Sequence, residues 1–286
     1  MNIKGRHNIL CYHSFSMYSV DLHYQPFLFR PLVHETLETP REFLDLLEIA
    51  KKVRRYDFSD PEINIIFNDH TECHTRRIAL HAKNILPTDF LDHDKIVRMA
   101  WIHDLPEGVV QADDGKDVLA HLSNPLQDAK ELTTAKEILS AHDLDLYHTI
   151  TYNKHKLNED SGDDWDIDYE AVTFKVLDWV IEGIVSHEWF LTQYMRSVDF
   201  SPNHRIPSQS SLDYTESRPS QIYTRISRLT DRHKHFREYI LRMIRDDYYK
   251  PTLELWSQVP SNRIPDSIQK KIQSLQNFYD NALFSI

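Results

Sequence analysis

The stretch "IVRMAWIHDLPEGVV", residues 96–110, decides how this chain is read. Its first half has helical spacing, with Ile96, Met99, Ala100 and position 103 on one side. It closes on His103-Asp104. A charged pair that ends an apolar run lies against a core. An aspartate there is costly to desolvate unless a cation or hydrogen bonds compensate. Consecutive helical side chains diverge by about 100°, yet both can reach an ion lying between them. Glu107 stands at i+4 from His103 and i+3 from Asp104, so a continuing helix turns it to the same side. Pro106 interferes: its ring disturbs the turn behind it, and the helix is expected to kink or restart there.

The same dipeptide recurs at His93-Asp94 and His142-Asp143. Asp94 falls at a helix start, where an aspartate is expected to cap. His142-Asp143 follows an amphipathic helix and has no glutamate three residues on. A divalent ion needs three or four ligands, which come from different helices in an all-α protein. His74 opens "HTRRIALHA", residues 74–82. Asp178 lies inside the apolar "FKVLDWVIEG", residues 174–183, where a bare carboxylate is expensive. Lys175, one turn earlier, offers Asp178 a plain helical ion pair instead, and the residues alone leave both readings open.

The rest of the chain bounds the answer. Its 286 residues suffice for one large domain or two small ones, and 41% hydrophobic with 27% charged residues is the profile of a soluble globular protein. Only 5 glycines occur, with no G-x-G-x-x-G and no P-loop. The net charge of -11 argues against non-specific nucleic-acid or anionic-membrane binding. It leaves room for a small anionic substrate held by a metal and a few arginines. The 2 cysteines, Cys11 and Cys73, are too few for a disulfide framework and fit a reducing compartment. The first residues lack an uninterrupted apolar core, and no run reaches a membrane span. The expected location is the cytoplasm. Most of the 17 histidines are expected to serve no shared role.

Residues 1–40, punctuated by prolines, read as an irregular arm. From there the pattern is helical. Thr39 can cap and Pro40 suits the first turn of "TPREFLDLLEIAKKVRRY", with Phe43, Leu46, Leu47 and Ala50 as its stripe. "CHTRRIALHAKNIL" puts Ile78, Ala82 and Ile85 on one face. "KDVLAHL" and "LTTAKEILSAHDLDLYHTI" read as two helices, followed by an acidic loop without calcium-loop spacing. "YEAVTFKVLDWVIEGIVSHEWFL" reads as a helix buried on more than one side. Residues 201–220, rich in Ser and Pro, read as a mobile loop, and 221–286 as further helices. The expected fold is all-α, with one metal-binding helical domain over 41–200 and the C-terminal helices packed on it.

The order His74, His103-Asp104, Asp178 is H…HD…D, and it resembles the HD-domain metal-dependent phosphohydrolase superfamily. "CHTRRIALHA", "AWIHDLPE" and "FKVLDWV" are similar to three motifs of that family, the glutamate and the lysine included. Within it, H…HD..E…K..D looks most like the bacterial 5′-deoxynucleotidases. The resemblance implies an HD-type helical bundle and one divalent ion, of Mn, Co, Zn, Mg, Ni or Fe, on His74, His103, Asp104 and Asp178. It implies that Glu107 positions or deprotonates the attacking water. It places Arg55, Tyr56, Asp113 and Lys175 with the substrate, a small phosphorylated molecule and most readily a nucleotide. Tyr56 stands where the family often has tryptophan. Ala112 stands where it has an aspartate, so that Asp113 or Asp114 would substitute. No membrane or nucleic-acid partner is implied, and a homodimer stays open.

Two rivals are a two-metal phosphodiesterase, drawing on His121, His142 or His148, and a non-hydrolytic module whose metal is structural. Glu107 speaks against the second, since a structural site has no use for it. "HTECH", residues 70–74, lacks the second ligand pair of a zinc finger and is not H-E-x-x-H. Arg225, Arg228, Arg232 and Arg237 read as a solvated helix face beside Asp231 and Glu238 rather than a phosphate or RNA contact.

Overall fold

The structure is a computed structural model. It describes residues 37–53, 70–85, 88–113, 125–158, 166–181 and 223–250, with 269, 270, 273 and 277. Arg55 and Tyr56, nearly all of the N-terminal arm, "KDVLAHL", the Ser/Pro loop and most of the last helix lie outside the described residues. Every element that the described residues form is helical, as the absence of strand alternation predicts. None of these helices is long and apolar enough to cross a membrane.

The chain divides into two compact units, and the division falls after Lys154. In the first unit a 3-10 turn, Arg41–Phe43, leads into α1, Leu44–Ala50. Then follow α2 (Thr71–Asn84), α3 (His93–Ile102), α4 (Leu105–Asp113), α5 (Pro125–Ile138) and α6 (Ala141–Asn158), whose end runs past the division. α2 packs along α3, and α1 against α4, which also packs on α5. The predicted stripes supply the core: Phe43 from the 3-10 turn, Leu47 and Ala50 from α1, Ile78 and Ala82 from α2, and Ile96, Met99 and Ala100 from α3 are all buried.

Local chemistry shifts three expected boundaries. Thr39 does not cap the first helix: its hydroxyl accepts from Arg76 Nη1, and Pro40 takes the cap position without a side-chain bond. The cap of α3 is Asp92, not Asp94. Asp92 Oδ1 accepts from the Lys95 amide at 3.1 Å, three residues on, which is the reach a capping side chain has. The stretch "LTTAKEILSAHDLDLYHTI" is not one helix. It breaks at Leu139-Ser140, because Ser140 Oγ accepts from the Asp143 amide at 3.2 Å and donates to Asp143 Oδ2 at 2.8 Å. A serine paired with an acidic residue three positions later starts a new helix.

In the second unit α7 runs over 169–181, α8 over 223–227 and α9 over Lys234–Arg242, which continues as a π turn through Met243–Tyr249. Every residue from 171 to 181 is buried, so α7 is enclosed on all sides, as its dense apolar sequence predicts. Tyr169 stacks on Phe236 with ring centres 4.4 Å apart, and its hydroxyl hydrogen-bonds His233 Nδ1 at 2.8 Å. Arg228 and Arg232 are exposed, while Arg237 pairs with Asp231 at 3.5 Å.

Candidate metal centre

α2 and α3 are neighbours, and each brings a histidine to the same place. His74 is the fourth residue of α2 and only 1% exposed. α3 ends at Ile102, and His103-Asp104 form the turn between α3 and α4. His103 still closes a helical bond, its amide donating to Met99 O at 3.1 Å. The Asp104 carbonyl accepts the first bond of the next helix, from Gly108 N at 2.9 Å. The carboxylate of Asp104 therefore stands at a helix N-terminus, where the backbone dipole favours negative charge.

This arrangement answers the question raised by Pro106. The helix does not continue through the pair; it restarts at Leu105, and Pro106 falls in the first turn of α4, where a missing N–H costs nothing. Glu107 follows in that same turn, three residues past Asp104.

The donor atoms suit a divalent ion. His103 Nδ1 lies 2.8 Å from Ala100 O. A carbonyl can only accept, so Nδ1 carries the proton and the lone pair of the neutral ring is on Nε2. That Nε2 is 3.2 Å from Asp104 Oδ2, and His74 Nε2 is 3.5 Å from the same oxygen. Candidate ligand atoms of the three residues all lie within 4.8 Å of one another. On a tetrahedral ion with bonds of about 2.1 Å, ligand atoms stand roughly 3.4 Å apart. The alternative is a proton on one ring, giving an imidazolium-carboxylate pair. One carboxylate oxygen facing two rings balances at most one of them, whereas a cation satisfies all three groups. The bond from His103 Nδ1 to a backbone carbonyl is also the usual device that orients a ligating imidazole.

The surrounding field is negative. Tyr147, buried in α6, has its phenol pushed well up by burial first and then by the charges of Glu131, Asp104, Glu107 and Asp128. The Glu131 carboxyl is raised by burial, and Asp104 raises it further. Sequence reading gave no sign of Glu131 or Tyr147, because both sit on helices far along the chain. It also passed over Gln111, whose Nε2 donates to Glu107 Oε1 at 3.0 Å. The i+4 spacing on a helix could have found that pair.

The other expected residues fall as follows. Asp113 ends α4. Asp178 and Lys175 belong to the second unit, where both are buried and Lys175 Nζ donates to Asp178 Oδ2 at 2.6 Å. The ion pair that competes with the ligand reading thus forms. The rival His-Asp pairs take structural parts. Asp143 is held by Arg98 through 2.7 and 2.8 Å hydrogen bonds, and Asp94 is an exposed residue in the first turn of α3.

No family model matches this chain. No curated protein and no solved structure is significantly similar to it.

Proposed function

We propose that the protein is an HD-type metal-dependent phosphohydrolase that cleaves a phosphate ester, in the first instance of a nucleotide. One observation carries the reading: His74, His103 and Asp104, drawn from two helices and a turn, converge as a buried group able to hold a metal ion. The H…HD…D order of the sequence supports it, with Glu107 three residues after the pair. A divalent ion supplies an activated water and polarises the phosphoryl oxygens. His103, fixed through Ala100 O, presents Nε2, and Asp104 presents Oδ2. Glu107 takes the proton of the attacking water on its carboxylate. The buried histidines keep bulk water from that side.

The test is an assay of the purified protein with Mn²⁺, Co²⁺ and Mg²⁺ against nucleoside monophosphates, triphosphates and a generic phosphodiester. Asp104→Ala is expected to lose both metal and turnover. Glu107→Ala is expected to keep the metal and lose about 10²–10⁴ in kcat, the usual share of a general base. Unchanged metal content and turnover in Asp104→Ala sink the site. Turnover confined to the diester favours the two-metal rival, and metal uptake with no turnover favours the structural module.

A further inference from the structure

The carboxamide of Gln111 is set against Glu107 in a way that stability alone does not explain. Gln111 is 3% exposed and sits one helical turn after Glu107 on α4. Its Nε2 donates to Glu107 Oε1 at 3.0 Å. The carboxylate can only accept, so this contact fixes which end of the amide faces Glu107. The other end, Gln111 Oε1, is buried and has no hydrogen-bond partner among the described residues. An orphaned buried acceptor lowers stability, and such atoms are scarce in folded proteins. A solvated i,i+4 pair leaves its spare oxygen in water. Here the amide is held inside the helix packing, with its donor end directed to the carboxylate.

We propose that Gln111 is a positioning residue for Glu107. It occupies Oε1, fixes the rotamer of the carboxylate, and keeps that group aligned for proton transfer. The inference rests on the phosphohydrolase reading, in which Glu107 accepts a proton. Gln111 itself touches neither metal nor reacting atoms.

Gln111→Met keeps the length and removes both polar ends, so it also removes the orphaned acceptor and is expected to fold. Mn²⁺ uptake should equal that of the native protein. The kcat should fall about tenfold with KM within twofold, and Gln111→Met should cost nothing further in a Glu107→Ala background. A readout independent of turnover comes from protein labelled with ¹⁵N-glutamine. The side-chain amide that disappears in Gln111→Met is expected to exchange slowly with solvent in the metal-free native protein, and Glu107→Ala should abolish that protection. Native kcat in Gln111→Met, a loss additive with Glu107→Ala, or amide exchange indifferent to Glu107→Ala would each overturn the proposal. Failure of the phosphohydrolase reading looks different: the slow amide remains coupled to Glu107, while Glu107→Ala leaves turnover unchanged or no turnover exists.

Discussion

Arg98 divides one guanidinium between two carboxylates and an aromatic ring. Its Nε and Nη2 reach Asp143 Oδ1 and Oδ2 at 2.7 and 2.8 Å, and its Nη1 reaches Glu42 Oε1 at 2.7 Å. The group lies 4.4 Å from the Phe43 ring centre. The Asp143 side chain is 2% exposed, so removing Arg98 strands a buried charge. Arg98→Ala is expected to lower the unfolding free energy by about 2–4 kcal/mol, and Arg98→Lys to recover only part, because an ammonium cannot make the forked contact. Denaturant melts check both. Burial pushes the Asp143 carboxyl up, but the hydrogen bonds from Arg98 and Ser140 outweigh it and hold the group below its ordinary range. The stabilisation is therefore fully present above the unfolded aspartate value of about 3.9 and is lost as pH falls through the lowered folded one. The gap between native protein and Arg98→Ala should begin to close below about pH 4 and narrow further as pH falls; a gap that stays constant down to about pH 2 contradicts this account. Three His-Asp pairs were legible in the sequence, and the one with Glu107 behind it could be separated from the others. The reason Asp143 is structural was not legible, since its partner lies 45 residues earlier and two spacings of that kind look alike in a chain.

At the level of elements, the apolar spacing named the faces of α1, α2 and α3 correctly, because burying a stripe is what holds a helix in a protein. Boundaries depended instead on single hydrogen bonds. Asp92 displaced Asp94 as a cap, and Ser140 split a segment whose apolar pattern alone reads as continuous. Pro106 was the visible sign that α3 could not run on, yet whether it bends a helix or opens one depends on the turn before it. Gly108 decides how α4 then packs. A Cβ added there would lie 3.0 Å from Ala50 Cβ and 3.3 Å from Ala50 Cα, so α1 and α4 approach through this glycine. Alanine has the better helix propensity by about 1 kcal/mol. The backbone of α1 cannot swing aside as a flexible side chain would, and overpacking typically costs about 1–3 kcal/mol. Gly108→Ala is expected to be net destabilising and, by shifting the first turn of α4, to weaken Mn²⁺ uptake as well. A variant that melts higher than the native protein with undiminished uptake would show that the α1–α4 contact has slack.

For the molecule as a whole, a metal held by His74, His103 and Asp104 would be linked to folding. A ligand bound only by the folded chain stabilises it by about 2.7 kcal/mol at a hundred times its dissociation constant. For a unit of this size that is a rise of very roughly 5–10 °C in Tm. A chain with net charge -11 gains an additional, salt-sensitive pull on a cation. Mn²⁺ is therefore expected to raise the Tm of the native protein and to leave Asp104→Ala unmoved. In the second unit, Asp178 is tested through its buried ion pair. It pairs with Lys175 at 2.6 Å, both side chains being buried, so Asp178→Leu alone removes the ammonium's carboxylate and is expected to destabilise the metal-free protein by about 3–5 kcal/mol. Lys175→Met together with Asp178→Leu removes both charges, which offsets the stranded-charge cost even though leucine adds volume over aspartate. The double variant is expected to melt well above Asp178→Leu without metal, because no buried ammonium is left without its carboxylate. A double variant that melts no higher than Asp178→Leu would show that the stranded ammonium is not what destabilises the single variant.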